Sequence, residues 1–278
     1  MANTRRRGAL ALFASAALLA LSAGTISAND EAQVRVLHAG PDAPPVDVWL
    51  DGSRVEALTN VPFGTLSDYL SIPAGPHDVQ VFATGTDADP VIDAAGLEVS
   101  AGVSYTIAAT GFLSDGSIAT PQVLVDDPEP KVDMAQLRVV HFAADAPAVD
   151  IAPDGGDALV EGLEFPNATA YLDIPGGEYD LEVRANADGS TVLDLDPLTV
   201  NEGTSYSAFA IGSLADGAAP LTVIVGVDAT AQPDTSTVTD AAATALAITP
   251  AIVLAMVALG MALLVGRRFS ARRVTTRD

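Results

Sequence analysis

The sequence predicts an all-β fold of two tandem immunoglobulin-like antiparallel β-sandwiches, and three observations support this prediction. Apolar and polar residues alternate in many short runs, as Val79, Val81 and Ala83 do, which is the period of half-buried strands. Gly, Pro and Asp interrupt these runs about every 8–12 residues, the spacing of turns in a sandwich. A unit of about 92 residues, a length typical of one sandwich, occurs twice.

The two copies of this unit match through several motifs that follow one another in the same order. Val34–His38 (Val-Arg-Val-Leu-His) aligns with Leu137–His141 (Leu-Arg-Val-Val-His), and Tyr69–Pro73 aligns with Tyr171–Pro175. So many matches in one order indicate a duplicated domain. We therefore predict a first sandwich over residues 34–125, a linker over 126–136 and a second sandwich over 137–227.

The N-terminus has the three parts of a secretory signal peptide. Arg5–Arg7 form a basic start, an apolar run without charges follows, and Ile26-Ser27-Ala28 resembles an A-x-A cleavage site. We therefore predict a signal peptide over residues 1–28. A retained N-terminal membrane helix is the weaker alternative, because the apolar run is short for crossing a bilayer.

The C-terminus has the pattern of a membrane anchor. Residues 246–265 carry no charge, and about 20 apolar residues span a bilayer core of ~30 Å. Arginines follow in the tail 266–278, and the positive-inside rule places that tail in the cytoplasm. We therefore predict a single-pass protein of the cell membrane with most of its chain extracellular, on a Thr/Ser/Pro stalk over 228–245.

One segment of the stalk leaves two interpretations open. Gln232–Ser236 (Gln-Pro-Asp-Thr-Ser), followed by an apolar run and arginines, has the layout of a sortase sorting signal. Such signals usually have the sequence Leu-Pro-x-Thr-Gly, so this segment departs at its first and last positions. It is either a plain stalk, which we favour, or a degenerate signal for covalent attachment to a cell wall.

The charge of the chain is concentrated in its middle. The formal net charge is -23, but residues 29–245 alone hold 35 acidic and five basic side chains. Nucleic acids need clustered Lys and Arg, so a nucleic-acid partner is excluded. Zero cysteines exclude disulfides, thiolate metal sites and a cysteine nucleophile. A salty habitat and cation binding both remain open as explanations of the acidity.

The strongest candidates for a ligand-binding site are a histidine and two aspartates that occur in both repeats. They are His38, Asp42 and Asp47 in the first repeat and His141, Asp145 and Asp150 in the second. A carboxylate beside an imidazole could serve acid–base chemistry. We favour a structural role instead, because Asp-Ala-Pro forms tight turns whose Asp caps backbone N–H groups. The histidine would then close the strand end by bonding to that turn.

Metal sites and catalysis have weaker support. We predict no zinc site, because only one histidine per repeat is shared, whereas calcium prefers the oxygen ligands of Asp-rich loops. Asp87, Asp89, Asp154 and Asp157 are the weak calcium candidates, and none has EF-hand spacing. No other cofactor is expected. The sequence also lacks a Gly-x-Ser-x-Gly elbow, a His-Glu-x-x-His helix and a phosphate-binding loop, so we predict no catalysis.

The motifs of the repeats resemble those of domain-of-unknown-function family 4397. The resemblance is carried by Val34–Val48, by Tyr69–Gly75 and by the Gly-x-x-Tyr-Thr of Gly102–Thr106, and it extends to both repeats. The second repeat departs at Phe142 and Ala144 but keeps the histidine and both aspartates. Members are secreted or anchored prokaryotic modules, often in tandem. The resemblance therefore implies a β fold and a surface location, and no chemistry.

Together these features predict a membrane-anchored surface protein with a structural or adhesin-like interaction role. Its partners would be the membrane, through the C-terminal helix, and a cell-wall polymer or a surface protein. The alternative is a binding module for a glycan, a small ligand or calcium, and an enzyme is a third possibility. An apolar, aromatic-lined pocket shared by several loops from one end of the sandwich would favour the binding module, whereas a pocket with a strongly perturbed histidine or carboxylate would favour the enzyme.

Overall fold

The computed structural model describes residues 30–195, 197–215, 217 and 219–231. The described residues through Ala229 belong to one compact unit. Within the described residues the secondary structure is eighteen β-strands and two short 3₁₀ turns, Glu56–Leu58 and Ser117–Ala119. Two β-sandwiches correspond to the two sequence repeats. The part of the chain that is described contains no helix long and apolar enough to cross a membrane.

The first sandwich consists of two four-stranded sheets. Its strands are β1 (Glu31–Ala39), β2 (Val46–Leu50), β3 (Ser53–Arg54), β4 (Leu70–Pro73), β5 (Gly75–Ala83), β6 (Ile92–Val99), β7 (Ser104–Thr110) and β8 (Gln122–Asp126). The sheet with strand order β4-β1-β7-β8 is called the first inner sheet, and the sheet β3-β2-β5-β6 the first outer sheet.

The second sandwich repeats this arrangement and adds a small two-stranded sheet, β13-β16. Its strands are β9 (Ala135–His141), β10 (Val149–Pro153), β11 (Val160–Leu163), β12 (Leu172–Ile174), β13 (Gly177–Tyr179), β14 (Leu181–Ala185), β15 (Thr191–Asp194), β16 (Leu198–Val200), β17 (Thr204–Ile211) and β18 (Thr222–Thr230). The second inner sheet has the order β12-β9-β17-β18, and the second outer sheet β11-β10-β14-β15.

The prediction of wholly antiparallel sheets is wrong for both inner sheets. Strand β1 pairs in parallel with β7, with Val34 opposite Tyr105, and β9 pairs in parallel with β17, with Leu137 opposite Tyr206. Parallel pairs occur mainly where a sheet is covered on both faces. The central strands meet this condition, because nearly every residue of β7 and β9 is buried.

The two inner sheets are covered on both faces because they pack against each other. Successive side chains of a strand point to opposite faces. In β1, Val34 and Val36 pack into the core of the first sandwich, while Leu37 joins a core shared with the second repeat. The shared core is called the inter-repeat core. It contains Leu37, Ala39, Ala108, Val140, Phe142, Phe209 and Ile211, each of them fully buried.

At two aligned positions the inter-repeat core combines a large residue of the second repeat with a small residue of the first. Phe142 and Phe209 of the second repeat stack with ring centroids 6.2 Å apart. The aligned positions of the first repeat are Ala39 and Ala108, which belong to the same core. Close packing at this density requires that bulky side chains face small ones. The two repeats therefore have similar backbones. Their side chains in this core differ, and they favour contact between a first repeat and a second repeat over contact between two copies of the same repeat.

The boundaries of the connecting segments differ from the predicted ones. Strand β8 includes Asp126 and β9 begins at Ala135, so the loop between the sandwiches is shorter than the predicted linker 126–136. Strand β18 extends to Thr230, so the first residues of the predicted stalk belong to a strand. The predicted signal peptide, the rest of the stalk, the anchor 246–265 and the tail 266–278 lie outside the described residues.

Candidate functional site

The histidine of each repeat lies at the end of a central strand and bonds to the turn that follows. The Nε2 atom of His38 is 3.1 Å from the carbonyl oxygen of Pro44, and that of His141 is 3.0 Å from the carbonyl oxygen of Pro147. Because a carbonyl oxygen only accepts, Nε2 is the donor in both rings. The Nδ1 atom of His141 accepts from the N–H of Ala143 at 3.3 Å.

Burial decides the charge of these two histidines. Both side chains are almost completely buried. Desolvation lowers the pKa of His38 and of His141, and the bond to the proline carbonyl only partly opposes this effect. Both rings are therefore neutral at pH 7. Within the described residues, the Nδ1 atom of His38 is buried without a hydrogen-bond partner.

The first aspartate of each motif holds a distant loop rather than its own turn. The carboxylate of Asp42 accepts from the N–H groups of Leu113 and Ser114, at 2.7 and 2.9 Å. Burial raises the pKa of this carboxyl, but its hydrogen bonds, first of all those to Leu113 and Ser114, together outweigh burial and the pKa is lowered. The predicted capping of backbone N–H groups therefore occurs, at residues about 70 positions further along the chain.

Asp145 makes the equivalent contacts in the second repeat. Its carboxylate accepts from the N–H groups of Leu214 and Ala215 at 3.0 and 3.1 Å, and from the hydroxyl of Ser213 at 2.6 Å. Burial raises the pKa of Asp145, yet these bonds lower it overall. The repeated Leu-x-Asp-Gly motif after β7 and β17 is thus the partner of the repeated Asp-Ala-Pro motif.

The second aspartate of each motif also bonds to backbone and neutral side chains. The carboxylate of Asp47 accepts from the N–H of Asn60 at 2.7 Å and from the hydroxyl of Thr84 at 3.1 Å. Asp150 accepts from the N–H of Gly162 at 2.7 Å and from a side-chain nitrogen of Asn186 at 2.8 Å. The structure therefore brings no carboxylate of the motif to the Nε2 atom of either histidine.

The four weak calcium candidates lie in exposed turns. Asp87 and Asp89 lie between β5 and β6, and Asp154 and Asp157 lie between β10 and β11. Across the described ranges, no group of three or more His, Asp or Glu side chains is arranged so that it could hold a metal ion. The two pairs belong to different repeats and lie at different turns.

His77 is the third histidine, and it occurs in the first repeat alone. Its Nδ1 lies 2.7 Å from a carboxylate oxygen of Asp51, and its Nε2 lies 2.8 Å from the carbonyl oxygen of Pro73. Desolvation lowers its pKa, but the bonds to Pro73 and Asp51 outweigh desolvation, and the pKa is raised. This ring therefore gains its proton more readily than His38 or His141.

The most extensive polar site was not predicted, and it joins the two repeats. Arg35 of β1 donates from Nε to the hydroxyl of Thr106 at 2.8 Å and from Nη1 to the carbonyl oxygen of Val227 at 3.1 Å. Its Nη2 forms an ion pair with Asp228 of β18 in the second repeat. Both side chains of this pair are buried.

The second repeat makes the equivalent contacts with the first. Arg138 donates from Nε to the hydroxyl of Ser207 at 2.9 Å and from Nη1 to the carbonyl oxygen of Val125 at 3.0 Å. Its Nη2 pairs with Asp126 of β8, again with both side chains buried. Each repeat thus supplies one arginine and one aspartate to a reciprocal pair of buried ion pairs, called here the arginine–aspartate lock.

Tyrosines complete the lock on each side. The hydroxyl of Tyr69 donates to Asp126 and that of Tyr171 to Asp228, both at 2.7 Å. Burial, followed by the charge of the neighbouring aspartate, raises the pKa of both tyrosines far above the usual range. The guanidinium of Arg35 lies over the ring of Tyr69, 4.7 Å from its centroid. These bonds satisfy the buried charges, which would otherwise destabilise the fold.

The repeat alignment contains the signal that could have revealed the lock. Arg35 aligns with Arg138, Tyr69 with Tyr171, and both arginines are among only five bases in residues 29–245. The two aspartates stand just beyond the predicted repeat ends, where the predicted linker and the predicted stalk begin. They were therefore counted as part of polar connections rather than as partners of the arginines.

Each sandwich also encloses an apolar cavity between its inner and outer sheets. The cavity of the second sandwich has a volume of about 330 Å³ and that of the first about 260 Å³. Val139, Ile151 and Leu181 line the larger one, and Val36, Val48 and Val79 line the smaller one. Neither cavity lies among the loops at the ends of the sandwich.

The fold and the lock define the class of this protein as a tandem β-sandwich protein whose two repeats are joined by reciprocal buried ion pairs. The family described as a domain of unknown function, DUF4397, matches residues 32–152 and 153–248. The chain therefore belongs to the DUF4397 family, as its motifs predict. The boundary between the two matched regions falls within β10 rather than in the loop between the sandwiches.

Solved structures give weak similarities. The C-terminal domain of AlgF from P. aeruginosa is 18% identical with a TM-score of 0.27, covering 34% of this chain and 98% of that one. A protein of Bacteroides uniformis proposed to act in cell adhesion is 10% identical with a TM-score of 0.19, covering 72% and 100%. A similar protein of Bacteroides fragilis has a TM-score of 0.18 at 10% identity, covering 73% and 99%. No curated protein matches the sequence.

Proposed function

We propose that the chain is a single-pass membrane protein that displays two immunoglobulin-like sandwiches outside the cell as one rigid body. Its role is structural or adhesin-like, it performs no catalysis, and it contacts a cell-wall polymer or another surface protein. The observation that carries this proposal is the arginine–aspartate lock together with the inter-repeat core. They favour a display body of fixed shape over two independently moving modules.

The lock supports rigidity because sandwiches in tandem otherwise move on their linker. Interfaces between domains of one chain are commonly small and polar, and relative motion is then the default. Here the interface combines fully buried apolar side chains with the ion pair of each arginine to the aspartate of the other repeat. Separating the repeats would break these close ion pairs and leave Arg35 and Arg138 with the aspartate of their own repeat alone, at 3.7 and 3.9 Å, which is strongly unfavourable.

The shared histidines and aspartates support a structural role for the repeated motif. His38 holds the Pro44 carbonyl and Asp42 holds the loop that begins at Leu113, so both bind backbone of their own repeat. The same contacts recur at His141 and Asp145. A catalytic arrangement would instead bring a carboxylate of the motif to the imidazole.

Surface display rests on the two ends of the sequence and on the charge between them. Arg5–Arg7 with the following apolar run favour export, and residues 246–265 favour anchoring. The acidic middle of the chain repels nucleic acid and anionic lipid headgroups alike. It therefore favours a body held away from the membrane surface.

Protease treatment of intact cells tests the location. In cells that produce the full chain, added protease should remove residues 30–231 without membrane permeabilisation, and the remainder should stay with the membrane fraction. A chain that ends at Ala245 should instead be released into the medium. Protection of the full chain in intact cells, or retention of the shortened chain, would contradict the proposal. Mass spectrometry of the mature C-terminus separates membrane anchoring, with residues 246–265 intact, from wall attachment, with cleavage near Gln232–Ser236.

Binding to isolated envelope fractions tests the interaction role. The full chain should bind one purified fraction, either wall polymer or surface protein, and it should do so with both histidines replaced (His38→Gln and His141→Gln) as long as the variant is folded. Loss of binding in that folded variant would assign the motif to the ligand site. A melting temperature that rises with calcium and returns with chelator would support the calcium alternative instead.

A further inference from the structure

The side chains inside the second sandwich are packed less tightly than those between the repeats. In the inter-repeat core, Phe142 and Phe209 are 0% exposed. Inside the second sandwich, Val139 and Leu163 keep 8% of their surface accessible and Ala208 keeps 7%. All three residues line the cavity of about 330 Å³, so the accessible surface belongs to that cavity. The looser packing is thus confined to the interior of the second sandwich and does not extend to the inter-repeat core.

A single aligned position contributes to the difference between the two cavities. Ile107 lines the cavity of the first sandwich, and Ala208 occupies the aligned position in the second. Isoleucine fills part of the space between the sheets that alanine leaves open. The smaller cavity of the first sandwich, about 260 Å³, agrees with this exchange. The size of the second cavity is therefore encoded in the sequence of the second repeat.

An apolar space of this volume suits a ligand better than water. The lining is mostly aliphatic, with His141, Asp194 and Thr222 as its polar members, so water deep inside it would find few hydrogen-bond partners. An empty space would forfeit the dispersion contacts of its lining. An engineered apolar cavity of about 150 Å³ already binds benzene. A space of twice that volume fits a longer apolar molecule.

The mouth of this cavity lies between two edge strands. Asp194 of β15 and Thr222 of β18 are exposed and belong to the lining, as does the exposed Val225. β15 ends at Asp194, and Pro197 just before β16 has no N–H to offer a sheet ladder. The first sandwich has the unbroken strand β6 at the corresponding edge. The cavity of the second sandwich therefore opens beside the end of β15.

We propose that the second sandwich binds one small molecule with an unbranched apolar chain and an uncharged or cationic head group. The chain lies between the inner and outer sheets, against Val139, Ala208 and Leu181. The head group lies at the mouth beside the carboxylate of Asp194 and the hydroxyl of Thr222, and that carboxylate selects against an anionic head group. This site is independent of the anchoring and the partner proposed above.

Three probes of equal chain length test the proposal on the full chain in lipid nanodiscs. Octylamine, octanol and octanoate are titrated separately, and melting is followed by circular dichroism, which reports the strands of both repeats. A ligand that binds only the folded state raises the melting temperature in a concentration-dependent way. Octylamine and octanol should raise it, and octanoate should do so much less.

Two variants and a control identify the site. Ala208→Ile copies the residue of the first repeat and should weaken octylamine binding on the order of tenfold or more, because it fills the pocket. Ala187→Ile, the same exchange at an exposed position, should leave binding unchanged. Asp194→Asn, at the exposed mouth, should make octanoate bind as well as octanol does. Equal binding to Ala208→Ile and wild type, or no shift with any probe, would overturn the proposal.

Discussion

Gly40 lies so close to Ile118 that a Cβ atom added at Gly40 would stand 2.3 Å from the Cδ1 atom of Ile118. The second repeat has Ala143 and Ala219 at the aligned positions. The second repeat thus has one more methyl group at the position of Gly40 and a smaller side chain at the position of Ile118. The two repeats therefore fill the same corner of the sandwich in two complementary ways.

This relationship predicts non-additive effects in the first sandwich. Gly40→Ala should destabilise the protein by about 2 kcal/mol, since overpacking strains a filled core. Ile118→Ala alone should cost about 3 kcal/mol. The double variant, which reproduces the second repeat, should lose clearly less than the sum of the two. Urea unfolding of all four proteins gives the coupling energy, and strict additivity would show that the two positions do not interact.

The arginine–aspartate lock should be intolerant of lysine. Arg138→Lys keeps the charge but cannot reach Ser207, Val125 and Asp126 together, because only the guanidinium has donors arranged in a fork. We expect a loss of about 3 kcal/mol in the free energy of unfolding.

Arg54→Lys is the matched control for this variant. Arg54 pairs with Glu56 on the surface, where both side chains are largely exposed, so the same exchange should change stability by less than about 0.5 kcal/mol. Denaturant unfolding of both variants measures the contrast. Equal effects at the two positions would mean that the lock contributes no more than a surface ion pair.

The two sandwiches should unfold in one step. Trp49 lies on β2 of the first repeat, so its fluorescence reports that repeat, whereas circular dichroism reports both. Phe209→Ala in the second repeat removes a fully buried ring of the inter-repeat core and should cost about 3 kcal/mol. The fluorescence transition should shift together with the dichroism transition. A fluorescence midpoint unchanged by Phe209→Ala would show that the repeats unfold independently.

The pKa shifts of the three histidines predict opposite effects of acid on the stability of the protein. The pKa values of His38 and His141 are lowered in the folded state, so the unfolded state binds more protons once the pH falls below about 6.5. Their contribution is therefore present at neutral pH and is lost on acidification. The pKa of His77 is raised, so its contribution is present in acid and is lost as the pH rises through its folded pKa.

Urea unfolding between about pH 7.5 and pH 5 measures these contributions, because the carboxyl groups titrate at lower pH. His141→Gln should flatten the loss of stability in this range. His77→Gln should steepen it, since it removes the opposing contribution. The same slope in both variants and in the wild type would show that none of the three histidines controls this part of the pH profile.

The sequence predicts the all-β fold, the duplication and the family, because alternation and repeated motifs are local signals. It also identifies the motif of His38 and Asp42. The partner of Asp42 was not predicted, since the bond to Leu113 joins loops about 70 positions apart. The antiparallel prediction was wrong at β1 and β7 for a similar reason. Parallel pairing depends on what covers the face of the inner sheet that points away from its own sandwich. In this protein the cover is the other repeat.

The arginine–aspartate lock was not predicted for the same reason, since it joins positions that are far apart in the sequence. Arg35 and Arg138 were visible as rare bases, but only the packing of the inner sheets shows that each faces the aspartate of the other repeat. The exchange of Ile107 for Ala208 was likewise in the alignment. That this exchange enlarges a cavity could not be predicted from the alignment. A small residue in a strand produces a cavity only when its neighbours do not fill the space between the sheets.

Arg35 and Asp228 stand 193 positions apart, in the first and the last described strands. A chain that is synthesised from its N-terminus presents Arg35 early and Asp228 nearly last. Throughout that interval the apolar face of the first inner sheet is not covered by the second repeat, and Arg35 lacks its closest carboxylate. The arrival of the final strand, rather than the folding of the first repeat, therefore ends the period in which the nascent protein is open to aggregation and proteolysis.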